Sequence, residues 1–505
     1  MKSKILSIQE LAQVLKELKK TKKIVHCHGV FDLLHIGHIK HFEKAKKYGD
    51  ILVVSITPDR YVNKGPSRPA FNEKLRSEAI AALEAVDYVC INEWPTGVEI
   101  IGLLRPDFYV KGADYIRKEN DLTGKITEEE EAVNSVGGKL VFTETVSFSS
   151  SKLINTYFSS YSDEANGFIG KLKQKYSISG ICGYFEEIKS VKALVIGEAI
   201  IDEYVYCEAL GKSSKEPIIA VKQVSSERFA GGILSLANNV SNFADNAELV
   251  TFAGDQDNMD EYIRKSLNPG IRANILKKSN SPTIVKKRYL ESYLLQKLFE
   301  VYEINEKELS EEDNDRFYSI LEEKLETSDI VIVADYGHGM INDRIVRLLS
   351  KKAKFLSVNT QSNAGNRGFN TISKYYRADF LCLSYPELLL ETRNRMTSIH
   401  DMITYVSEKL NCGRMIITRG YYGSICYDKD SGFYEVPSFT NKVIDRVGAG
   451  DALFSISSLC AYKNMPMELT GFIGNVVGAE AVLTLGHQKN IETTPLIKHI
   501  ETILK

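Results

Sequence analysis

The chain has 505 residues, 43% hydrophobic and 26% charged, the balance of a folded globular protein rather than a disordered one. At roughly 150 residues per domain it exceeds one ordinary core, and two to four domains are expected. Its 64 Lys plus Arg against 66 Asp plus Glu give a formal net charge of −2, without the basic excess that non-specific nucleic-acid binding draws on.

No apolar run approaches the ~20 residues of a membrane-spanning helix, so neither a membrane nor a nucleic acid is expected as a partner. The first twenty residues carry scattered charges, unlike a signal peptide, and Ile8, Leu11, Leu15 and Leu18 follow helical spacing. Short β-rich runs at 23–28, 51–56, 88–91, 108–110 and 140–142 then alternate with helical patterns. Such alternation predicts a doubly wound parallel sheet that binds ligands at the carboxyl ends of its strands. Residues 159–190 are less periodic and read as a linker, with one docking helix around 168–176. From 191 a second series begins, with ALVIG, ELVTFAG, DIVIVADYG, KFLSVN, DFLCLS and MIITRG as strand-like runs. The segment 204–228 lacks helical periodicity and is rich in β-branched and aromatic residues, which suggests a small projecting β-sheet. The expected architecture is therefore two α/β parallel-sheet domains, 1–158 and 191–505, around that linker. The eight cysteines are scattered without a CxxC pair, which argues against a disulfide scaffold or structural zinc and suits a reducing cytoplasm.

Five of the nine histidines fall in HCHGVFDLLHIGHIKHF, residues 26–42. His35 and His38 are three apart, so they share one face of a helix's first turn. That turn offers unpaired amides and a positive dipole to a phosphate, and two imidazoles there can bond to charge developing on it. Gly37 leaves room for the ligand to approach the backbone. Ordinary surface histidines or a partial metal site are the alternatives, although no Cys or carboxylate cluster completes a zinc site.

GVFDLLHIGH resembles the GxFDxxHxGH signature of the cytidylyltransferase-like nucleotidyltransferases. KGPSRPAFNEKLRSEAIAALEAVDYV and RPDFYVKGADY are similar to the adenylyltransferase domain of the bifunctional heptose kinase/adenylyltransferases, over residues 20–158. The resemblance implies that a phosphorylated substrate attacks a nucleoside triphosphate in line and releases pyrophosphate without a covalent intermediate. It implies that His35 and His38 stabilise the transferring phosphate, that Lys46 contacts the triphosphate and that Arg76 assists. Gly29, Phe31, Asp32, Lys111, Gly112, Asp114, Ser149, Ser150 and Ser151 would line the nucleotide. A solvated helix-end lysine is the alternative for Lys46, and a plain N-cap for the serines. His28 departs from the Thr or Asn common at its position, and the Arg that often precedes the Ser-rich motif is missing.

Near the carboxyl end, VIDRVGAGDALFSISSLCAY leads a strand-like piece into a helix. Gly448, Ala449 and Gly450 let backbone amides converge on an anion, and Asp451 is placed to take a proton from a hydroxyl attacking a γ-phosphate. Taken alone, GAGD is a weak signal, and a Gly-rich turn with an N-terminal Asp is the commoner explanation. The succession GEAIID, AGG, TRGYYGS and VGAGD resembles the PfkB/ribokinase sugar kinases over 190–505, with the heptose kinase domain as the nearest likeness. SKEPIIAVKQVSSERFAGG looks like the projecting lid of those kinases followed by their diglycine. The resemblance implies that Asp202, Gly231 and Gly232 hold the sugar with support from Asn239. Gly448 to Gly450 would form the anion hole, Asp451 would act as base, Gly420 and Gly423 would line the nucleotide pocket, and Glu387 would lie in the metal region.

Departures in this half are Ser384 in the NxxE pattern, Ser235 after the diglycine, Arg446, and Asn359–Thr360–Gln361 in place of Asp-Pro-Lys. The run NTQSNAGNRGFN is either a solvated loop or a changed substrate pocket. The nucleotidyltransferase segment leads, so a domain order reversed relative to the fused heptose enzymes is expected. The resulting expectation is a bifunctional, Mg²⁺-dependent enzyme of nucleotide-activated sugar synthesis, of the kind that supplies lipopolysaccharide or another surface glycan. One half would phosphorylate a sugar or sugar phosphate with ATP. The other would couple a sugar 1-phosphate to a nucleotide, with ATP favoured and CTP permitted. The alternative keeps the nucleotidyltransferase and makes the kinase-like half a binding or dimerisation module. A homodimer is expected in either case.

Overall fold

Strands β1 (Ile24–Gly29), β2 (Ile51–Ile56), β3 (Tyr88–Ile91), β4 (Phe108–Gly112) and β5 (Lys139–Thr143) form a parallel sheet in the order β3-β2-β1-β4-β5. The computed structural model describes residues 4–66, 68–112, 125–143, 150–157 and 161–505. The sheet belongs to a first unit of Met1–Ser160 with Ile497–Lys505; Tyr161–Leu496 make a second.

Runs such as IVHC and ILVVSI are apolar at successive positions because helices cover both faces of the sheet. Val25, Leu52, Val54 and Val89 pack against Phe42 and Ile80 on one side. Ile24, Val53 and Cys90 pack against Leu11, Leu15 and Ile100 on the other. The first helix, Ile8–Leu18, opens on a Ser7/Glu10 capping box and buries Ile8, Leu11 and Leu15. Each such side chain contributes about 1.5–3 kcal/mol of transfer free energy. Chain order reverses between β1 and β4, which opens a crevice at their carboxyl ends.

In the second unit the strands are β6 (Lys192–Gly197), β7 (Ala199–Lys212), β8 (Ile219–Gly232), β9 (Asn246–Gly254), β10 (Arg272–Lys278), β11 (Ile284–Glu291), β12 (Lys297–Glu303), β13 (Ile330–Asp335), β14 (Leu356–Thr360), β15 (Phe380–Ser384), β16 (Arg414–Thr418), β17 (Ser424–Asp428) and β18 (Gly432–Val436). The main sheet runs β10-β9-β6-β13-β14-β15-β16-β17-β18, parallel through β16 and antiparallel beyond. A separate four-stranded sheet, β12-β11-β7-β8, corresponds to the lid that the resemblance implies. It is larger than the segment 204–228 suggested, because the β7–β8 hairpin recruits β11 in parallel and β12 beyond it. Register places Lys286 beside Asp202 and Arg288 beside Tyr204, so these four side chains share one face of the lid.

The expected linker is instead two helices of the second unit. Asp163–Lys175 is capped by Ser162 and buries Ala165, Ile169 and Leu172; Ile178–Lys189 is capped by Ser177 and buries Ile181, Phe185 and Ile188. Short amphipathic stripes of this kind hold only by packing, here with Phe185 on Phe243. Among the described residues no helix is long and apolar enough to cross a membrane, and all eight cysteines are free thiols.

Candidate functional site

After β1 the backbone turns through Phe31, at φ 48°, into the helix Ile36–Lys46. A side chain on Gly29 would stand 3.0 Å from the Phe31 ring, which would have to give way to it. His35 caps the helix, its Nδ1 accepting from the Gly37 amide at 3.1 Å. Its ring stacks on His38 with centroids 3.9 Å apart, and Phe31 meets His38 edge-on at 5.3 Å. The two imidazoles thus lie side by side where the helix favours an anion. Burial pushes His38 down to about 3, with His35, His41 and Lys64 adding to the effect. Burial also lowers His35. His38 Nδ1 is buried and has no hydrogen-bond partner among the described residues.

The serine-rich helix start joins this crevice. Ser150 Oγ donates to the Leu33 carbonyl at 3.2 Å, and Arg68 Nη2 donates to Ser151 Oγ at 3.3 Å. Arg68 Nε also donates to Asp32 at 2.5 Å, and the other Asp32 oxygen accepts from the Ala70 amide at 2.5 Å. Asp32 therefore holds the 68–70 loop in place instead of facing a nucleotide. Lys64, in the same loop, is pushed down to about 8 by burial, against the pull of Asp32. Neither Lys64 nor Arg68 is expected here from the sequence; the two cations of KGPSRP around Gly65–Pro66 were the available signal. Asp114 and Ser149 lie outside the described residues.

Lys46 is not brought to this site. Its Nζ donates to the Asp50 carbonyl at 2.6 Å and pairs with Asp87, at the amino-terminal edge of the sheet. At 1.5 Å rise per residue it lies about 15 Å along the helix from the imidazoles. The cation beside His38 is Lys64, carried in by the loop after β2. Replacing Lys46 by alanine is accordingly expected to leave pyrophosphate release within about twofold of wild type and to cost under about 1 kcal/mol in thermal unfolding. A tenfold fall in release would contradict this placement.

Arg76 is also structural. Its guanidinium donates to the carbonyls of Phe71, Val30 and Thr57 and to Asp59, tying together the loops after β1 and β2. Lys111 pairs with Glu129 at 2.7 Å, beside Gly112 at the end of β4. The remaining histidines are held elsewhere: His26 and His28 share the Ser55 hydroxyl at 2.7 and 2.8 Å, and His41 meets the Thr143 hydroxyl at 2.7 Å.

In the second unit the helix Ala449–Tyr462 starts at Gly448, φ 78°, where a side chain would stand 2.0 Å from the His487 ring. The space beside Gly450 is open. Asp451, in the first turn, accepts from the Gln361 amide. Burial pushes its carboxyl up to about 6, against the opposing pull of His487 and Gln361. Asp202 lies across from it, paired with Arg288 and with His487 Nε2 at 3.2 Å. Burial opposes its charge, yet His487 and Arg288 outweigh that and hold it down to about 2. A side chain on Gly231 would come within 2.1 Å of Asp202 Oδ2, and Gly232 turns at φ 53° into the next helix. His487 thus joins the carboxylate expected on the sugar side, the glycine turn and the carboxylate expected as base.

Gly420 and Gly423 form a tight turn after β16, at φ 59° and 74°, on the carboxyl edge of the sheet. Asn239 is turned away from the cleft, its Oδ1 accepting from the Ile491 amide at 2.9 Å. Glu387 is not a free metal ligand: Ser384 and Glu387 form a capping box, and the Glu387 oxygens accept from the amides of Ser384 at 2.7 Å and Ser362 at 3.0 Å. Among the described residues no cluster of three or more His, Cys, Asp or Glu is placed to hold a metal. The Asn-rich run is a polar scaffold. Asn363 and Asn366 donate to the Tyr336 carbonyl and Asn370 to that of Asp335, which aims Gln361 at Asp451. His487, Arg288 and the role of Gln361 were missed from sequence; the alternation of Lys286 and Arg288 along β11 was the only local signal.

A family model described as pfkB family carbohydrate kinase matches residues 191–494, and one described as cytidylyltransferase-like matches 26–156. Among curated proteins, the bifunctional protein HldE of Syntrophotalea carbinolica is 40% identical over 147 residues, 28% of this chain and 29% of that protein. The protein of the same name from Aliarcobacter butzleri is 44% identical over 135 residues, 26% of this chain and 28% of that one. That of Geobacter metallireducens is 37% identical over 169 residues, 32% of each. The chain therefore spans under a third of the length of these relatives, and the matches do not bear out the expected reversal of domain order. Among solved structures, the ribokinase of Thermotoga maritima aligns with 62% of this chain and 99% of its own at 18% identity and a TM-score of 0.49.

Proposed function

The chain belongs to the pfkB family of carbohydrate kinases, and from that premise we propose a two-activity enzyme that makes a nucleotide-activated sugar. The carrying observation is that each unit sets a phosphate-ready helix start at the carboxyl edge of its own parallel sheet, one with His35 and His38, the other with Gly448 and Asp451.

In the kinase unit, Asp202 and the backbone at Gly231 orient the sugar. Asp451 takes the proton as the hydroxyl oxygen bonds to the γ-phosphorus and the bond to ADP breaks. The amides of Gly448 to Gly450 receive the transferring phosphoryl. In the first unit, the phosphate oxygen of a sugar 1-phosphate bonds to the α-phosphorus of ATP and pyrophosphate leaves. His35, His38, Lys64 and Arg68 bear the developing charge.

Mg²⁺ suits both reactions, supplying charge neutralisation across phosphate oxygens. With no cluster of three or more His, Cys, Asp or Glu placed for a metal among the described residues, substrate phosphates would provide most of its ligands. Resemblance to the heptose enzymes supports a heptose-type sugar and a surface-glycan product, and nothing in the site or the relatives selects CTP. A homodimer belongs to the same proposal, supported by Phe299 and Val301 exposed on β12.

The test is mass spectrometry of the products formed by the whole chain from a pool of sugars, sugar phosphates, ATP and CTP with Mg²⁺. A newly phosphorylated sugar together with an ADP-sugar and pyrophosphate is expected. A CMP-sugar would overturn the choice of nucleotide, and absence of any sugar phosphorylation would reduce the second unit to a binding module.

A further inference from the structure

Asp445 lies three residues before Gly448, with its side chain 2% exposed. A carboxylate that deeply buried persists only if its lone pairs and charge are answered. Four donors answer it. Lys297 Nζ and the Val447 amide reach one oxygen at 2.6 and 3.2 Å, while the Tyr204 hydroxyl and the Gly486 amide reach the other at 2.6 and 3.1 Å. Burial works against the charge, but Lys297 and Tyr204 outweigh it and hold the carboxyl below its usual range.

The donors come from three places. Tyr204 and Lys297 belong to β7 and β12, the neighbours of β11 on either side in the lid. Val447 adjoins the glycine turn, and Gly486 adjoins His487, which reaches Asp202. Gly486 is wedged against the lid: at φ 54°, a side chain there would stand 3.0 Å from the Tyr204 ring and 3.1 Å from that of Phe229. Leu485 packs with Tyr204 and Leu290 of the same sheet. One carboxylate is therefore the meeting point of the lid, the phosphate-binding turn and the segment that steadies Asp202.

We propose that Asp445 is a positioning residue that couples the lid to the phosphate-binding turn, with the Lys297 ammonium as its built-in counter-charge. When the lid seats over a sugar, Lys297 and Tyr204 fix Asp445. Asp445 in turn fixes the Val447 amide, and with it the amides of Gly448 to Gly450. The same contact fixes Gly486 and hence His487 on Asp202. By reciprocity, a nucleotide that orders the turn favours the seated lid. The inference rests on the kinase reading above, and its test separates the two.

The test compares the full chain with Lys297→Ala, Tyr204→Phe and Asp445→Asn. Lys297→Ala is expected to lower the kinase turnover number about 100-fold, the scale on which a small misplacement of reacting groups costs rate. Pyrophosphate release by the first unit should stay unchanged. Ammonium or methylammonium ions should restore part of the Lys297→Ala activity but none of that lost in Asp445→Asn, a split that general loss of packing does not produce. Hydrogen exchange gives a readout free of turnover: a non-hydrolysable ATP analogue should slow exchange in both 447–451 and 297–303 of wild type, but only in 447–451 of Lys297→Ala. Should Asp445→Asn fail to fold, Lys297→Ala and Tyr204→Phe decide the matter. Variants whose lid exchange and kinase rates match wild type would overturn the coupling. A wild-type chain that phosphorylates no sugar would remove the kinase reading, while the exchange comparison would still decide the coupling.

Discussion

Replacing His38 by alanine is expected to slow pyrophosphate release about 100- to 1,000-fold, the usual effect of deleting one group that bonds to transition-state charge. Its Nδ1 is buried without a partner among the described residues, and its ring is fixed between His35 and the edge of Phe31. The bond to phosphate therefore needs no reorganisation at the moment of transfer. The interaction grows as charge develops, so the fall should appear mainly in the turnover number, with the KM for ATP changing little. His35 is a less clean target, because its ring caps the helix and its loss would also cost about 0.5–2 kcal/mol of helix stability. Sugar phosphorylation by the second unit should continue at the wild-type rate. A coupled pyrophosphate assay run beside an ADP-release assay reads both activities. Release within threefold of wild type would remove His38 from the reaction, and loss of both activities would contradict independent sites.

The histidine-rich turn was legible in the sequence because everything it needs is local: a strand end, a glycine and two histidines one helical turn apart. The cation that serves it was not. Lys46 follows the histidines in sequence, but the helix between them carries it to the opposite edge of the sheet. Lys64 comes back through a loop whose fold depends on Asp32 holding Arg68 and Ala70, contacts spanning 36 and 38 residues. Nothing in a single stretch of residues signals a return of that length.

The same limit applied to the kinase half. GAGD, the diglycine and Asp202 each announce themselves by residue type over a few positions. His487, Arg288 and Asp445 acquire roles only because the sheet order gathers distant segments: β11 joins β7 in parallel more than eighty residues away, a pairing with no local turn to mark it. The linker was misread for a related reason, since two short amphipathic helices look weakly periodic until the surface they cover is known. The polar run after Asn359 was the hardest to read, because its side chains bond to backbone carbonyls rather than to one another.

Asp451→Asn should reduce sugar phosphorylation about 100- to 10,000-fold, the range that a positioned proton acceptor contributes. Asparagine keeps the volume and can still accept from Gln361, so the cleft should persist while the ability to take a proton is lost. The pH dependence follows from the same burial that pushes Asp451 up to about 6. Above that value the carboxylate is ionised and competent; below it the wild-type rate should fall about tenfold per pH unit, because the neutral acid cannot accept. Stability runs the other way. A carboxyl raised above its unfolded value favours the folded state when protonated, and that contribution is lost as pH rises through about 6. The charged form should therefore weaken the fold at pH 8 by up to about 3 kcal/mol, and asparagine should relieve this. The variant is expected to be nearly inactive yet to melt higher than wild type at pH 8, with the gain vanishing near pH 4. Inactivity accompanied by a lower melting temperature would mean that Asp451 serves the fold and not the proton transfer.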